Sequence, residues 1–483
     1  MDGLLIGDKV TSGSGAMLRS VNPADGSLNY EFAGASAADI DRAAQIADKA
    51  AREKSWRAMK PHERARLLAR IADAIAANGE ALAHQQMVEN GKVLAECRAQ
   101  AASAAATFRY YAAVCETIEG EAPPPRGNYF GLTLHEPYGA VAAITPWNSP
   151  LTMEAQKIAP ALAAGNAVLL KPSEVTPGVG LIVARLALEA GLPPGLLQVL
   201  PGSGAETGAA LVGHEKVRMI SFTGGTNTGR AIARVAAERL VPAALELGGK
   251  SPNVVFADAD PDAAVAGVIG GIFEATGQSC VAGSRLFVER GIYREFVDRV
   301  VAASEALMID LPTAAGAQLG PLASFAQRER VESFVADAKD ENGVVLTGGG
   351  RPGAAALDKG AYYRPTVIGG LSAAARVCRE EIFGPVLVTL PFDGEEDLIA
   401  QANDSVYGLA CGIWTADYRR AWRVARAIEA GTVWINTYKQ LSIAAPFGGF
   451  KQSGIGREKG LSGLRLYQQA KSLYWGLEGG LDG

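Results

Sequence analysis

The chain reads as an α/β protein of two tandem domains, each built on a largely parallel sheet covered by helices. Three observations predict this. At 483 residues the chain exceeds what one hydrophobic core organises, so two or three domains are expected. Short apolar runs alternate with helical stretches at roughly 20–30-residue spacing, as βαβ units with both sheet faces buried require. The hydrophobic fraction of 48% and the charged fraction of 20% are those of an ordinary globular chain.

Taken in order, residues 41–118 read as helices rich in Ala, Leu, Arg and Glu. Within them Pro61 opens one amphipathic helix over PHERARLLARIADAIAANGEALA. From Val141 the strands AVAAIT, NAVLL, LLQVLP, RMISF and SPNVVF alternate with helices such as MEAQKIAPALAAG and GLIVARLALEAG. A second series follows Asp260. Helix DAAVAGVIGGIFEATG leads to strand RLFVER, helix YREFVDRVVAASEALM, and strands VVLTG, VLVTL, ACGIWT and TVWIN. Pro and Gly cluster in 121–131, read as an exposed connection, and in 347–354, read as a solvated loop because no helix pattern follows it directly. There is no internal repeat and no low-complexity segment.

Composition excludes several function classes. A net charge of −5 argues against nucleic acid, which rewards clustered Lys and Arg. No basic amphipathic stretch marks a membrane surface, and no apolar run approaches the ~18 residues that span a bilayer. The start, MDGLLIGDKV with Asp2, lacks the basic and apolar regions of a signal peptide. Five scattered cysteines (Cys97, Cys115, Cys280, Cys378, Cys411) show no C-x-x-C pair, so a reduced, cytoplasmic chain is expected. The four histidines (His62, His84, His135, His214) never stand four apart, so no metal site is expected.

Three glycine turns follow candidate strands. PGSGAETG (201–208) has a spacing one residue longer than the dinucleotide fingerprint, and a plain turn opening a helix is its commoner reading. SFTGGTNTGR (221–230) begins like a P-loop but has Arg230 and Ala231 where Lys and Ser/Thr belong. ALELGGKS (244–251) ends in Gly-Lys-Ser but has Ala244 for the leading Gly. None is a triphosphate site. A strand, a glycine turn and a helix N-terminus still make an anion seat, which suits a dinucleotide pyrophosphate.

Cys280 lies in FEATGQSCVAGSR, at a tight junction between a helical run and a strand, flanked by Gly277 and Gly283. A lone intracellular Cys is a small buried hydrophobe in roughly three cases of four. At this junction, nearby amides would lower its pKa and make thiolate available. No His follows His214, which disfavours a Cys-His pair and leaves a carboxylate as the base. Glu246, between leucines in LELGGKSP, is the candidate, since partial burial raises a carboxyl toward neutrality. Its plainer reading is a solvated Glu at a strand end.

LELGGKSPNVVF followed by GQSCVAGSR resembles the paired signature of the aldehyde dehydrogenase superfamily. AAITPWNSPL, LLKPSEVTP, SFTGGTNTGR, EEIFGPVL, NDSVYGLACGIWT, TVWIN and PFGGFKQSGIGRE continue the likeness in the family's order. The resemblance implies oxidation of an aldehyde to the acid with reduction of NAD(P). Cys280 would form a thiohemiacetal and then, after hydride transfer, a thioester. The Asn148 amide and the Cys280 N–H would form the oxyanion hole, Glu246 would activate the hydrolytic water, and Lys157 would support Glu246. For the cofactor it implies Lys171 and Glu174 at the adenine ribose, Gly224 and Gly225 beneath the pyrophosphate, and Trp147 alongside. Glu381 and Phe383 would hold the nicotinamide ribose and ring. Ser173, Gly204, Gly208, Phe222 and Leu247 complete the set. Glu174 would repel an added phosphate, so NAD is the cofactor implied, with NADP use left open. A CoA-acylating relative would keep Cys280 and lack the base, so Glu246 points to hydrolysis.

The same resemblance implies a Rossmann-like cofactor domain (1–117 and 138–248) and a catalytic α/β domain (249–447). A bridging element (118–137 and 448–483) would pair subunits into a dimer or tetramer, its C-terminal segment alternating like an edge strand that seeks a partner. The sequence departs from well-known members at Ser149, where they carry an aromatic, and at Gln156, where they often carry Trp. Ser279, Val281 and Tyr438 also stand near the site. A wider, more polar substrate tunnel follows from these.

Overall fold

A computed structural model describes residues 3–477. The outermost residues of the first and last assigned segments, 1–2 (with Asp2) and 478–483, lie outside the described residues. Two large sheets dominate. The first runs Lys9–Thr11, Leu4–Ile6, Leu197–Val199, Ala167–Lys171, Ala140–Ile144, Val217–Thr223, Ala243–Glu246, Gly454–Ile455. Its five strands from Leu197–Val199 to Ala243–Glu246 are parallel, and antiparallel strands close both ends. The second runs Val344–Thr347, Thr366–Gly369, Val386–Phe392, Arg285–Glu289, Pro252–Val255, Ala410–Trp414, Thr432–Ile435, parallel throughout except at Val344–Thr347.

Burial explains the sequence pattern. Strands Ala140–Ile144, Ala167–Lys171 and Ala410–Trp414 are buried at every residue, so they read as unbroken apolar runs. In the second sheet Val254 and Phe287 face one core while Val255, Leu286 and Val288 face the other, the two-residue alternation of a pleated strand. Strand Ala140–Ile144 lies between Ala167–Lys171 and Val217–Thr223. The winding reverses there, and a crevice opens at the carboxyl ends of these strands.

Several expectations need correction. The helix predicted over 61–83 is two, Pro61–Ala77 and Gly79–Asn90, because Asn78 leaves helical geometry and its side chain caps the Ala74 carbonyl at 2.9 Å. The first helix starts at Ala37, earlier than read, where Ser36 and Asp39 cap each other reciprocally. The ribbons Leu4–Ile6 with Lys9–Thr11 and Met17–Val21 with Leu28–Ala33 were not anticipated; their strands are short and several of their residues exposed. Part of the exposed connection becomes strand Tyr129–Pro137, which pairs with Gln468–Gly476 over nine positions. The C-terminal edge strand thus has a partner within its own chain. Of the 347–354 segment, 348–354 is a loop, as read, while Thr347 ends strand Val344–Thr347.

Candidate active site

The crevice is continuous and has two chambers. One, of about 390 Å³, is lined by Trp147, Lys171, Ser173, Glu174, Gly204, Gly208, Phe222, Gly224 and Gly225. The other, of about 460 Å³, is lined by Trp147, Asn148, Leu247, Cys280, Glu381 and Phe383. Pro146, Trp147, Thr223, Gly224, Gly225 and Thr228 belong to both, so the chambers join. All the cofactor residues expected from the sequence therefore face one cleft.

The cleft has the features a dinucleotide needs. Gly225 is the N-cap of helix Thr226–Arg239, so its first amides open onto the cleft. A Cβ on Gly204 or Gly225 would meet no protein atom within 4 Å, so backbone lies bare to a ligand there. At the outer end Lys171 Nζ donates to Glu174 Oε2 at 3.1 Å, leaving the other Glu174 oxygen for ribose hydroxyls. Where the chambers meet, Trp147 and Phe383 stand edge to face with centroids 5.2 Å apart.

The nucleophile turn is built from strained backbone. Ala275, Thr276 and Gly277 are consecutive left-handed residues, held by Glu96 Oε1 on the Ala275 N–H (3.0 Å) and Thr276 Oγ1 on the Gly320 carbonyl (3.0 Å). Gly277 is obligatory, since a Cβ would lie 2.1 Å from the Gly384 oxygen. Asn148 Nδ2 donates to the Gln278 carbonyl at 2.9 Å, which places its amide over the turn and leaves its second N–H free.

One electrostatic expectation is overturned. No amide cluster lowers the Cys280 thiol; burial, with the Glu381 and Glu246 charges, pushes it up to about 12. Only the Val281 N–H and Lys459 work in the other direction. The thiol therefore rests protonated and needs a base.

Glu246 ends its strand buried, with Oε2 unpartnered. Burial and the neighbouring Glu458 hold its carboxyl well above the usual range, against the pull of Lys157. Lys157 does not touch Glu246. Its Nζ donates to Glu458 Oε1 at 2.6 Å and to Ser221 Oγ at 3.0 Å, fully buried. Glu458 is thus a site residue that sequence reading missed, although it ends the motif PFGGFKQSGIGRE; the pairing of Gly454–Ile455 with Leu245–Glu246 and the bridge between Phe447 and Glu458 carry it here.

The failed P-loop match ALELGGKS has another explanation. A Cβ on Gly248 would lie 2.4 Å from Glu381 Oε2, and one on Gly249 2.5 Å from the Cys280 carbonyl. These glycines let the catalytic turn and Glu381 close against the strand end. Glu381 Oε1 accepts from the Gly249 N–H at 3.0 Å, and burial raises it to about 7. The departures also have places: Gln156 is buried, and Ser149 Oγ accepts from Gln100 Nε2 at 3.1 Å.

Comparison with known proteins agrees with this geometry. A sequence model of the aldehyde dehydrogenase family matches residues 10–473. A betaine aldehyde dehydrogenase of Mesorhizobium japonicum is 43% identical over 460 residues, covering 95% of this chain and 91% of that one. Aldehyde dehydrogenase family 2 member B4, mitochondrial, of Arabidopsis thaliana is 41% identical over 472 residues, covering 97% and 87%. The NAD+ complex of an aldehyde dehydrogenase from Bacillus cereus superimposes with a TM-score of 0.96 at 40% identity, covering 98% and 96%.

Proposed function

The chain belongs to the aldehyde dehydrogenase family, and from that premise we propose which of its residues carry the reaction. The activity itself is oxidation of an aldehyde to the carboxylic acid with reduction of NAD(P). One observation supports the assignment above others: Cys280 and the Asn148 amide share the inner end of a cleft whose outer end carries Lys171 and Glu174.

Cys280 Sγ attacks the aldehyde carbon, and its proton passes to a carboxylate, for which Glu246 is the candidate. The free N–H of Asn148 and the Cys280 amide stabilise the oxyanion, worth about 3 kcal/mol per donor. Trp147, Glu381 and Phe383 would hold a nicotinamide at the inner end of the cleft, which when bound would supply the hydride acceptor. Once Glu246 has returned that proton to solvent through the cleft, it takes a second one from the water that attacks the thioester, and its raised pKa suits a base near neutral pH.

Glu174 supports NAD over NADP, because its exposed carboxylate oxygen would meet the extra phosphate. Ser149, Gln100 and buried Gln156 support a polar or bulky aldehyde over a short alkanal. Initial rates with NAD and NADP over polar, aromatic and short alkyl aldehydes test this. NAD and polar substrates are expected to lead; strong preference for short alkanals contradicts the substrate reading. Two or four chains are expected by light scattering. The ribbon 129–137/468–476 exposes Phe130, Tyr474 and Trp475, and a second copy would cover them. A monomer contradicts this. Among the described residues no helix is long and apolar enough to cross a membrane.

A further inference from the structure

Behind the nucleophile turn lies the segment that follows strand Thr432–Ile435; its Tyr438, read from the sequence as bearing on the substrate tunnel, is buried and lines neither chamber of the cleft. Two of its residues, Asn436 and Lys439, are left-handed, with φ of 52° and 57°. Such backbone persists only where its surroundings over-determine it. They do so here. Asn436 exchanges hydrogen bonds with Thr415, Oδ1 accepting from its N–H and Nδ2 donating to its carbonyl, both at 3.0 Å. Trp434 Nε1 donates to the Gln440 carbonyl at 2.7 Å.

The segment reaches the nucleophile turn from both sides. After the thiol, Tyr438 Oη donates to the Val281 carbonyl at 3.0 Å. Before it, Lys439 Nζ donates to the Gly270 carbonyl at 2.9 Å, one of the orphan carbonyls ending helix Pro261–Phe273. Lys439 also faces Glu274 Oε2 at 3.6 Å. The Tyr438 ring occupies a slot made by absent side chains. A Cβ on Gly412 would come 2.4 Å from it, on Gly271 3.1 Å, and on Gly283 3.0 Å from its oxygen. The ring is buried and leans on Trp434 at 4.8 Å between centroids. Its direction is therefore set by packing, and its hydroxyl has one carbonyl to meet.

We propose that Tyr438 is a positioning residue of this enzyme: by holding the Val281 carbonyl, with Lys439 holding Gly270, it fixes the residue next to Cys280 and so the aim of the thiol at the Asn148 amide. The Val281 N–H, which favours the thiolate, is joined to that anchored carbonyl through one Cα and is oriented by it. The proposal rests on Cys280 being the nucleophile, which a Cys280→Ser variant tests separately.

The experiment is Tyr438→Phe, which keeps the ring and removes one hydrogen bond, with Lys439→Met as the second variant. The burst of reduced cofactor and the rate of Cys280 alkylation by iodoacetamide are both followed against pH. The expected result for Tyr438→Phe is a burst about tenfold slower, since sub-ångström misplacement is enough for that. The KM for NAD stays unchanged, and the alkylation profile is displaced to higher pH. Lys439→Met shifts both in the same direction by less. Should Tyr438→Phe fail to fold, the Lys439→Met result decides alone. A parent-like burst, or a slower burst with an unmoved alkylation profile, overturns the proposal in either variant. Loss of both burst and alkylation in Cys280→Ser, beside parent-like Tyr438→Phe, would sink the positioning role while sparing the nucleophile.

Discussion

Glu246 is the residue at which environment decides chemistry most plainly. Burial and the nearby Glu458 disfavour its charged form, so its proton is held well above the usual carboxylate range. The base it supplies is the charged form. Hydrolysis is therefore expected to fall as pH drops through this raised pKa, and the burst rate falls with it, because the same carboxylate receives the thiol proton. Glu246→Gln removes the base and leaves the nucleophile. The expected outcome is a slower burst of about one reduced cofactor per site, followed by turnover lowered about 10²- to 10⁴-fold, with acyl-enzyme visible by mass spectrometry. Undiminished steady turnover would remove Glu246 from the mechanism. This residue was legible in the sequence, since a Glu between two leucines signals burial. The Lys157 charge favours the ionised form of Glu246, but its hydrogen-bond partner, Glu458, was not readable, because it is brought across by a two-residue strand that no periodicity announces.

At the scale of elements, helix Pro150–Ala163 is instructive. Its N-terminus presents Asn148 to the site, and its body is almost wholly buried, which forces Glu154 inside. Neither Glu154 oxygen has a partner, and the neighbouring Glu89, which accepts from Tyr30, adds repulsion. Its folded pKa is thus raised above the unfolded value of 4.5. The sign follows: stability is full below the unfolded pKa and is lost as pH rises toward the folded one. Replacing Glu154 by Gln should raise stability at pH 8 and change it little at pH 4. Thermal melts at the two pH values measure this, and an equal shift at both would contradict it. Strands and helices of this kind were readable because burial on all sides leaves continuous apolar runs. The ribbons near the N-terminus were not, since short, half-exposed strands leave no such trace. Asn78 split a helix whose hydrophobic period runs on across the break.

The whole molecule places two sheets so that the strand ends of one deliver a cofactor cleft and the turn of the other delivers a thiol to its inner end. The α/β class, the two series and the glycine turns could be read directly. The contact between domains could not, because Gly248 and Gly249 matter only for what closes against them: Glu381 and the Cys280 carbonyl. The lowered thiol pKa expected from a turn rich in amides was also wrong, because Cys280 is surrounded by apolar side chains and acidic charges. Everything at this scale converges on one sulfur. The most direct test is a single-turnover record of cofactor reduction by Cys280→Ser beside the parent enzyme, with NAD binding confirmed in both. The account predicts a burst from the parent and none from the variant; a burst of equal rate and amplitude from the serine enzyme would contradict it.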